Sequence, residues 1–297
     1  MGVLKTLTNE YFGETIREED KIDISGLDVE IVSFKDNNGI FHGNGYRVKD
    51  GDPNKMVKTL KTLIERIIEK RGPECSLNDI DVSNQTKMCY ENKDGFIIGV
   101  FYCLEFDGDV SGWDVSNVKD MRCMFWGAKS FNQPLDKWDV SSVKIMRDMF
   151  HGANSFNQDI SGWKVSSVEN MKYMFRSAKS FNGDISGWDV RNVKDMFGMF
   201  YGAESFNQPL DKWGDKLLNV KNMNSMFFYA NSFNQDISGW DVSNVEDMRG
   251  MFYLATSFNQ DISRWDVSNV RMYDCMFDYT PLKNNNKLPK WYLDRIK

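Results

Sequence analysis

Seven tryptophans set the register of this chain. Trp113, Trp138, Trp163, Trp188 and Trp213 fall 25 residues apart; after one longer step, Trp240 and Trp265 resume the spacing. Around each lies a variant of one pattern, most complete as FNQDISGWDVSNVEDMRGMFYLATS over residues 233–257. Units begin at Phe106, Phe131, Phe156, Phe181, Phe206, Phe233 and Phe258, and the fifth is 27 residues long because Gly214-Asp215-Lys216 stretches the segment after Trp213. A fixed period of this length marks a repeat architecture. Each unit is then one supersecondary element that buries its apolar face only against its neighbours.

Within a unit the apolar positions change period. In the sixth, Ile237, Trp240 and Val242 follow the L-x-x-L-x-L order of a leucine-rich-repeat strand. Trp-Asp-Val is the part expected to be extended, with parallel stacking between units supplying its hydrogen bonds. Further on, Val245, Met248, Met251 or Phe252, and Ala255 lie three or four apart, which predicts a helix. Ser243 is placed to cap it, with Glu246 three residues on as a capping box. Ser116, Ser141, Ser166 and Ser268 occupy the same place. Methionine pairs from Met121/Met124 to Met248/Met251 keep this spacing and read as core rather than as a metal-binding ladder. A buried tryptophan removes roughly 150–250 Å² from water, about 4–6 kcal/mol gross. The expected fold class is an α/β solenoid, leucine-rich-repeat-like, with a short parallel strand and a helix in each 25-residue repeat.

The flanks read as caps. Residues 1–74 hold a polar tail, two β-prone runs around Asp36-Asn37-Asn38-Gly39 that predict a hairpin, and an amphipathic helix. Met56, Leu60, Leu63 and Ile67 form the helix stripe; Pro53 lies near its start and Gly72-Pro73 stops it. This small β-β-α cap is expected to dock on the array, being small for an independent core. Residues 75–105 form a degenerate opening repeat: IDVSNQTKM imitates WDVSNVxxM, and FIIGVFYCLEF is apolar enough to be buried beneath the cap. Residues 106–282 are the seven repeats, and 283–297 a C-terminal cap with Trp291 and Tyr292.

The net charge of −6 argues against nucleic acid or an anionic membrane as partner, since both select basic patches. Five cysteines without C-x-x-C spacing suggest a reduced chain without disulfides. Neither a transmembrane run nor a signal peptide is found, so a cytoplasmic or virion-associated location is expected ahead of signal-directed secretion.

Over about residues 78–280, FNQDISGWDVSNVEDMRGMFYLATSFNQDISRWDVSNV resembles the repeat of the BspA-like leucine-rich-repeat surface protein family, in its mycoplasma-type 25-residue branch. KLPKWYL, residues 287–293, is similar to how such arrays end. The resemblance implies a leucine-rich-repeat-like solenoid and a binding role, often at cell surfaces. Members also occur without signal sequences in phages and large viruses.

Two rows of positions remain once core and turns are filled. The residue after each tryptophan reads Asp114, Asp139, Lys164, Asp189, Gly214, Asp241 and Asp266. These side chains either accept hydrogen bonds from their own turns or form a face for basic or polyhydroxylated partners or divalent cations. The residue after each Met-Phe reads Trp126, His151, Arg176, Tyr201, Phe228 and Tyr253, a row that is either flank packing or an aromatic contact strip. A third row, Asn132, Asn157, Asn182, Asn207, Asn234 and Asn259, reads as backbone satisfaction between units. No catalytic constellation, metal set or cofactor motif is found. The expectation is a monomeric, non-catalytic, adhesion-type protein that recognises a protein or glycan through its repeat face, with neither nucleic-acid binding nor membrane insertion. A structural phage- or virus-associated component is the first alternative, and an enzyme with its site in the N-terminal unit the second.

Overall fold

The computed structural model describes residues 22–33 and 45–296. The predicted hairpin turn at Asp36–Gly39 and the N-terminal tail lie outside them. Strand β1, Val29–Val32, pairs antiparallel with β2, Gly45–Val48. Helix α1, Pro53–Arg71, starts where the Asp52 side chain accepts the Lys55 N–H and stops at Gly72, whose φ is +93°. Its buried stripe is Met56, Val57, Leu60, Leu63, Ile64 and Ile67. Strand β3, Ile80–Asp81, pairs parallel with β2, Ile80 opposite Tyr46. The N-terminal unit is thereby joined to the opening repeat through one three-stranded sheet.

The opening repeat carries an insertion. Strands β4, Cys89–Glu91, and β5, Ile97–Gly99, form an antiparallel hairpin. It sits between Met88 and Val100, where the first full repeat has only Arg122 and Cys123 between Met121 and Met124. Burial of FIIGVFYCLEF is therefore partial: Val100 and Phe101 are fully buried, whereas Phe96, beside the hairpin turn, is 66% exposed.

From just before the hairpin, single-residue parallel bridges run from unit to unit: Lys87, Asp120, Ile145, Asn170, Asp195, Asn222, Asp247, Met272. They do not fall at Trp-Asp-Val. Asp114 turns the chain, and the bridge forms six residues later at Asp120.

Nor is the second half of a unit a helix. From Met121 onward alternate N–H groups point in two directions. Those of Met121, Cys123, Phe125 and Gly127 donate to carbonyls of Ile145, Arg147, Met149 and His151 in the next unit, at 2.7–3.1 Å. Those of Met124, Trp126 and Ala128 turn back three residues within the unit, at 3.1–3.3 Å. Two residues per unit have left-handed φ, Cys123 (+56°) and Gly127 (+68°) in the first, and the pair recurs as Asp148/Gly152, Tyr173/Ser177, Gly198/Gly202, Ser225/Tyr229, Gly250/Leu254 and Cys275/Tyr279. A right-handed helix cannot contain such residues. Successive turns return side chains to one face every three or four residues, as a helix does, so the spacing does not separate the two.

The core is a set of ladders. Phe125 and Phe131 stack at 4.1 Å, as do Phe200 and Phe206, and Trp113 and Trp138 lie parallel at 6.4 Å. Each repeat tryptophan donates its indole N–H to a backbone carbonyl one unit back, from Trp113 to Leu77 (2.9 Å) through Trp265 to Ile237 (3.0 Å). The long fifth unit places its extra residues in a 3-10 turn, Asp211–Lys216, and still buries Trp213 completely. After the last repeat come two short helices, α2, Pro281–Asn284, and α3, Lys290–Leu293. There Trp291 continues the indole ladder with a 3.1 Å bond to Ile262, and Arg295 donates to the carbonyls of Val267 and Val270.

Candidate functional site

The acidic row is built into the backbone. Asp114, Asp139, Asp241 and Asp266 each use Oδ1 to accept the N–H of the serine two residues on, at 3.0–3.1 Å. Asp189 does the same with Arg191 at 3.3 Å and takes the Arg191 guanidinium through both oxygens. Ser243, expected as a helix cap, instead completes such a turn, its hydroxyl 2.6 Å from Asp241. The same device recurs earlier in the unit at Asp109, Asp159, Asp184, Asp236 and Asp261. It recurs again at the bridge positions Asp120, Asn170, Asp195, Asn222 and Asp247. At the bridge an uncharged amide serves as well as an acid, so acceptor geometry is what the turn requires. Hydrogen bonds hold three carboxylates of the Trp-Asp row below the ordinary range: from the Ser141 side chain and backbone at Asp139, from Arg191 at Asp189, and from the Ser268 backbone at Asp266. Lys164 breaks the row on an exposed position, and Gly214 is buried.

The asparagine row is a second scaffold. Asn157 N–H donates to Asn132 Oδ1, Asn182 to Asn157, Asn207 to Asn182, Asn234 to Asn207 and Asn259 to Asn234, all at 2.8–2.9 Å.

The row after Met-Phe is different, because its side chains are held by one another. Trp126 stacks on His151 at 4.4 Å; Tyr201 and Phe228 stack at 4.6 Å, and Phe228 and Tyr253 at 4.6 Å. In the gap between His151 and Tyr201, the guanidinium carbon of Arg176 lies 4.8 Å from the Tyr201 ring and 4.9 Å from the Tyr173 ring. Tyr102 of the opening repeat extends the row at one end, 5.5 Å from Trp126; Tyr279 meets Tyr253 edge-on at 5.4 Å at the other. All six predicted positions are half-buried, and beside them Tyr229 and Tyr279 are exposed. The aromatic strip is thus continuous, presenting ring edges while neighbours cover most ring faces. Sequence reasoning missed Tyr102, Tyr173, Phe197, Tyr229 and Tyr279. Tyr173, Tyr229 and Tyr279 occupy positions that mostly hold glycine, serine or cysteine in other units, and Phe197 one that holds Arg, Lys, Asn or Asp, so no consensus letter marks them.

One acid–base pair adjoins this strip. His151 Nδ1 is 2.9 Å from Asp148 Oδ1, and the buried Asp148 also receives Arg147 Nε at 3.1 Å. With its ring stacked on Trp126, His151 is positioned as a packing element of the row. Burial pushes the Cys89 thiol up to about 12 and raises Cys123, so neither is a thiolate nucleophile near neutrality. Among the described residues no group of three or more His, Cys, Asp or Glu could hold a metal ion, and no helix is long and apolar enough to cross a membrane.

The arrangement defines a protein of stacked repeats whose indole and asparagine ladders tie each unit to the next, while its aspartates fix the turns within each unit. The chain belongs to the family described as Mycoplasma protein of unknown function, DUF285, whose profile matches residues 97–213 and again 214–297. The two matches meet in the fifth unit, directly after Trp213. No curated protein and no solved structure matches the chain.

Proposed function

We propose that this protein is a non-catalytic recognition module, a leucine-rich-repeat-like solenoid of the BspA-like type, that binds a protein partner along the row from Trp126 to Tyr253. The observation that carries this reading is the continuity of that row. Tyr, Trp and Arg are the side chains enriched in the energetic centres of protein interfaces. Here they are pre-ordered by mutual stacking, so little side-chain entropy is lost on binding. Tyr229 at 43% and Tyr279 at 59% exposure add apolar area beside the C-terminal half of the row. A protein partner is favoured over a glycan because a sugar ring packs on an open aromatic face, and these faces largely cover each other. The acidic row supports the reading less, since its carboxylates serve their own turns.

The test is a screen of the full chain on protein and glycan arrays, followed by two variants. Tyr229→Ser with Tyr279→Ser removes exposed rings without touching the core. Asp114, Asp139, Asp189, Asp241 and Asp266 changed together to Asn remove charge but keep the turn acceptors. Loss of a protein hit with the first variant and its retention with the second supports the proposal. The reverse pattern, or capture of glycans alone, overturns it.

A further inference from the structure

Arg176 stands apart from the other half-buried arginines. Arg47, Arg71 and Arg122 are paired with Asp81, Asp79 and Asp120, while Arg66 and Arg295 donate to backbone carbonyls. Arg176 has neither: it makes no ion pair among the described residues, and its buried Nε has no hydrogen-bond partner. Buried polar groups without partners are uncommon; Nε itself is shielded, but the terminal donors of the guanidinium, which make no hydrogen bond among the described residues, can meet an acceptor supplied from outside. Packing on the Tyr173 and Tyr201 rings fixes the guanidinium while leaving its donor fork unused.

The charge around it points the same way. Lys172 Nζ lies 5.4 Å from the same Tyr173 ring and 4.5 Å from the Phe197 ring, and makes no ion pair among the described residues. In the first and sixth units the bridge residues Asp120 and Asp247 neutralise the arginine two positions on, Arg122 and Arg249. In the third unit that place is held by Asn170, which bonds the Lys172 backbone N–H and carries no charge. Asp148, which acts on the same Tyr173 ring, is taken by Arg147 and His151, and Glu169 by Lys194. This unit also carries Lys164, the one basic residue of the row after the tryptophans. In a chain of net charge −6, the third unit thus holds against one tyrosine ring two cations that make no ion pair among the described residues.

We propose that Arg176 and Lys172 form the charged anchor of the aromatic row and receive a carboxylate of an acidic peptide segment in the protein partner. The inference rests on the protein-recognition reading of this row and supplies the partner's chemistry. Arg176 matches a carboxylate bidentately; the edges of Tyr201, Phe228 and Tyr253 then contact apolar side chains beside it. A peptide is favoured over an acidic polysaccharide for the reason given above, the scarcity of open ring faces.

The experiment uses the full chain and fluorescein-labelled peptides of alternating glutamate and leucine, with matched glutamine–leucine peptides and dextran sulfate as further arms, read by anisotropy. The glutamate peptide is expected to bind and the glutamine peptide not to bind. Lys172→Gln and Arg176→Gln should each weaken binding by about tenfold. Arg176→Lys should fall between, because it keeps the charge and loses the fork. Arg122→Gln, whose parent is already paired, should leave affinity unchanged. Should Arg176→Gln unfold, Lys172→Glu provides the same test from the neighbouring position. Equal binding of both peptides, undiminished binding by the charge variants, or preference for dextran sulfate overturns the inference. If the charge variants bind normally while Tyr229→Ser with Tyr279→Ser does not, the carboxylate anchor fails and the recognition face stands. If neither set affects binding, both fail.

Discussion

At the scale of single residues, identical letters do different physical work. The aspartate after each tryptophan looks like ligand chemistry because acids rarely line up without cause, yet its oxygen is an acceptor for a turn. Asp139→Asn is therefore expected to leave thermal unfolding nearly unchanged, whereas Asp139→Ala should cost about 1 kcal/mol by leaving the Ser141 N–H without its acceptor. Equal losses for both would mean that charge, not geometry, is what the turn uses. Hydrogen bonding holds the carboxyls of Asp139, Asp159, Asp189, Asp236, Asp261 and Asp266 low. A group with a depressed folded-state value stabilises above its unfolded value and loses that contribution as pH falls through the folded value. The melting temperature should thus be flat above about pH 5 and decline below about pH 4. A melting curve equally steep across pH 6–7 would point to other groups. The tryptophan is different again, because it is both core and hydrogen-bond donor. Trp188→Phe removes the bond to the Ile160 carbonyl and leaves a void, at a cost of about 2–3 kcal/mol in denaturant unfolding.

At the scale of the element, what the sequence reveals stops at a definite point. The helix α1 is readable because stripe, N-terminal Pro53 and terminal Gly72 agree. The 25-residue unit is readable because Trp113 and its successors recur. The inner path of the unit is not, because a spacing of three or four is common to helices and to successive turns. The discriminating signal was faint: glycine at Gly127, Gly152 and Gly202, and again at Gly198 and Gly250, four residues from its counterpart, marks two left-handed positions that no helix tolerates. Tyr229, Leu254 and Tyr279 obscure it by accepting the same φ with large side chains. Two measurements follow. Far-UV circular dichroism should show helix equivalent to α1 and the short C-terminal turns, not one helix per repeat; a strong helical minimum would overturn the turn assignment. Gly152→Ala, where φ is +69° and an added Cβ would meet the Gly127 backbone only at an ordinary 3.7 Å contact, should destabilise by about 1–2 kcal/mol. Ser177→Gly, at φ +54° in the next unit, should be neutral or stabilising.

At the scale of the whole molecule, each unit is bonded mainly to its neighbours, so stability should behave as a sum of unit and interface terms, with the ends most exposed to fraying. The C-terminal segment closes one end by imitation. Trp291 makes the indole bond that an eighth repeat would make, to Ile262, and Arg295 fills the carbonyls of Val267 and Val270 in the last unit. Trp291→Ala or Arg295→Ala should therefore loosen the seventh unit selectively. Amide exchange at Met276 and Phe277 is expected to quicken by about tenfold or more, while Met121 and Phe125, six units away, keep their protection. Deleting residues 283–297 should extend this loosening inward and expose Phe277, which packs against Trp291 and Tyr292 at 6.1 and 4.9 Å. Faster exchange spread evenly through all units would instead indicate that the array unfolds as one cooperative body and that the cap acts on global stability. Unchanged exchange at Met276 would mean that the indole and guanidinium bonds of the cap carry no stabilisation of the last unit.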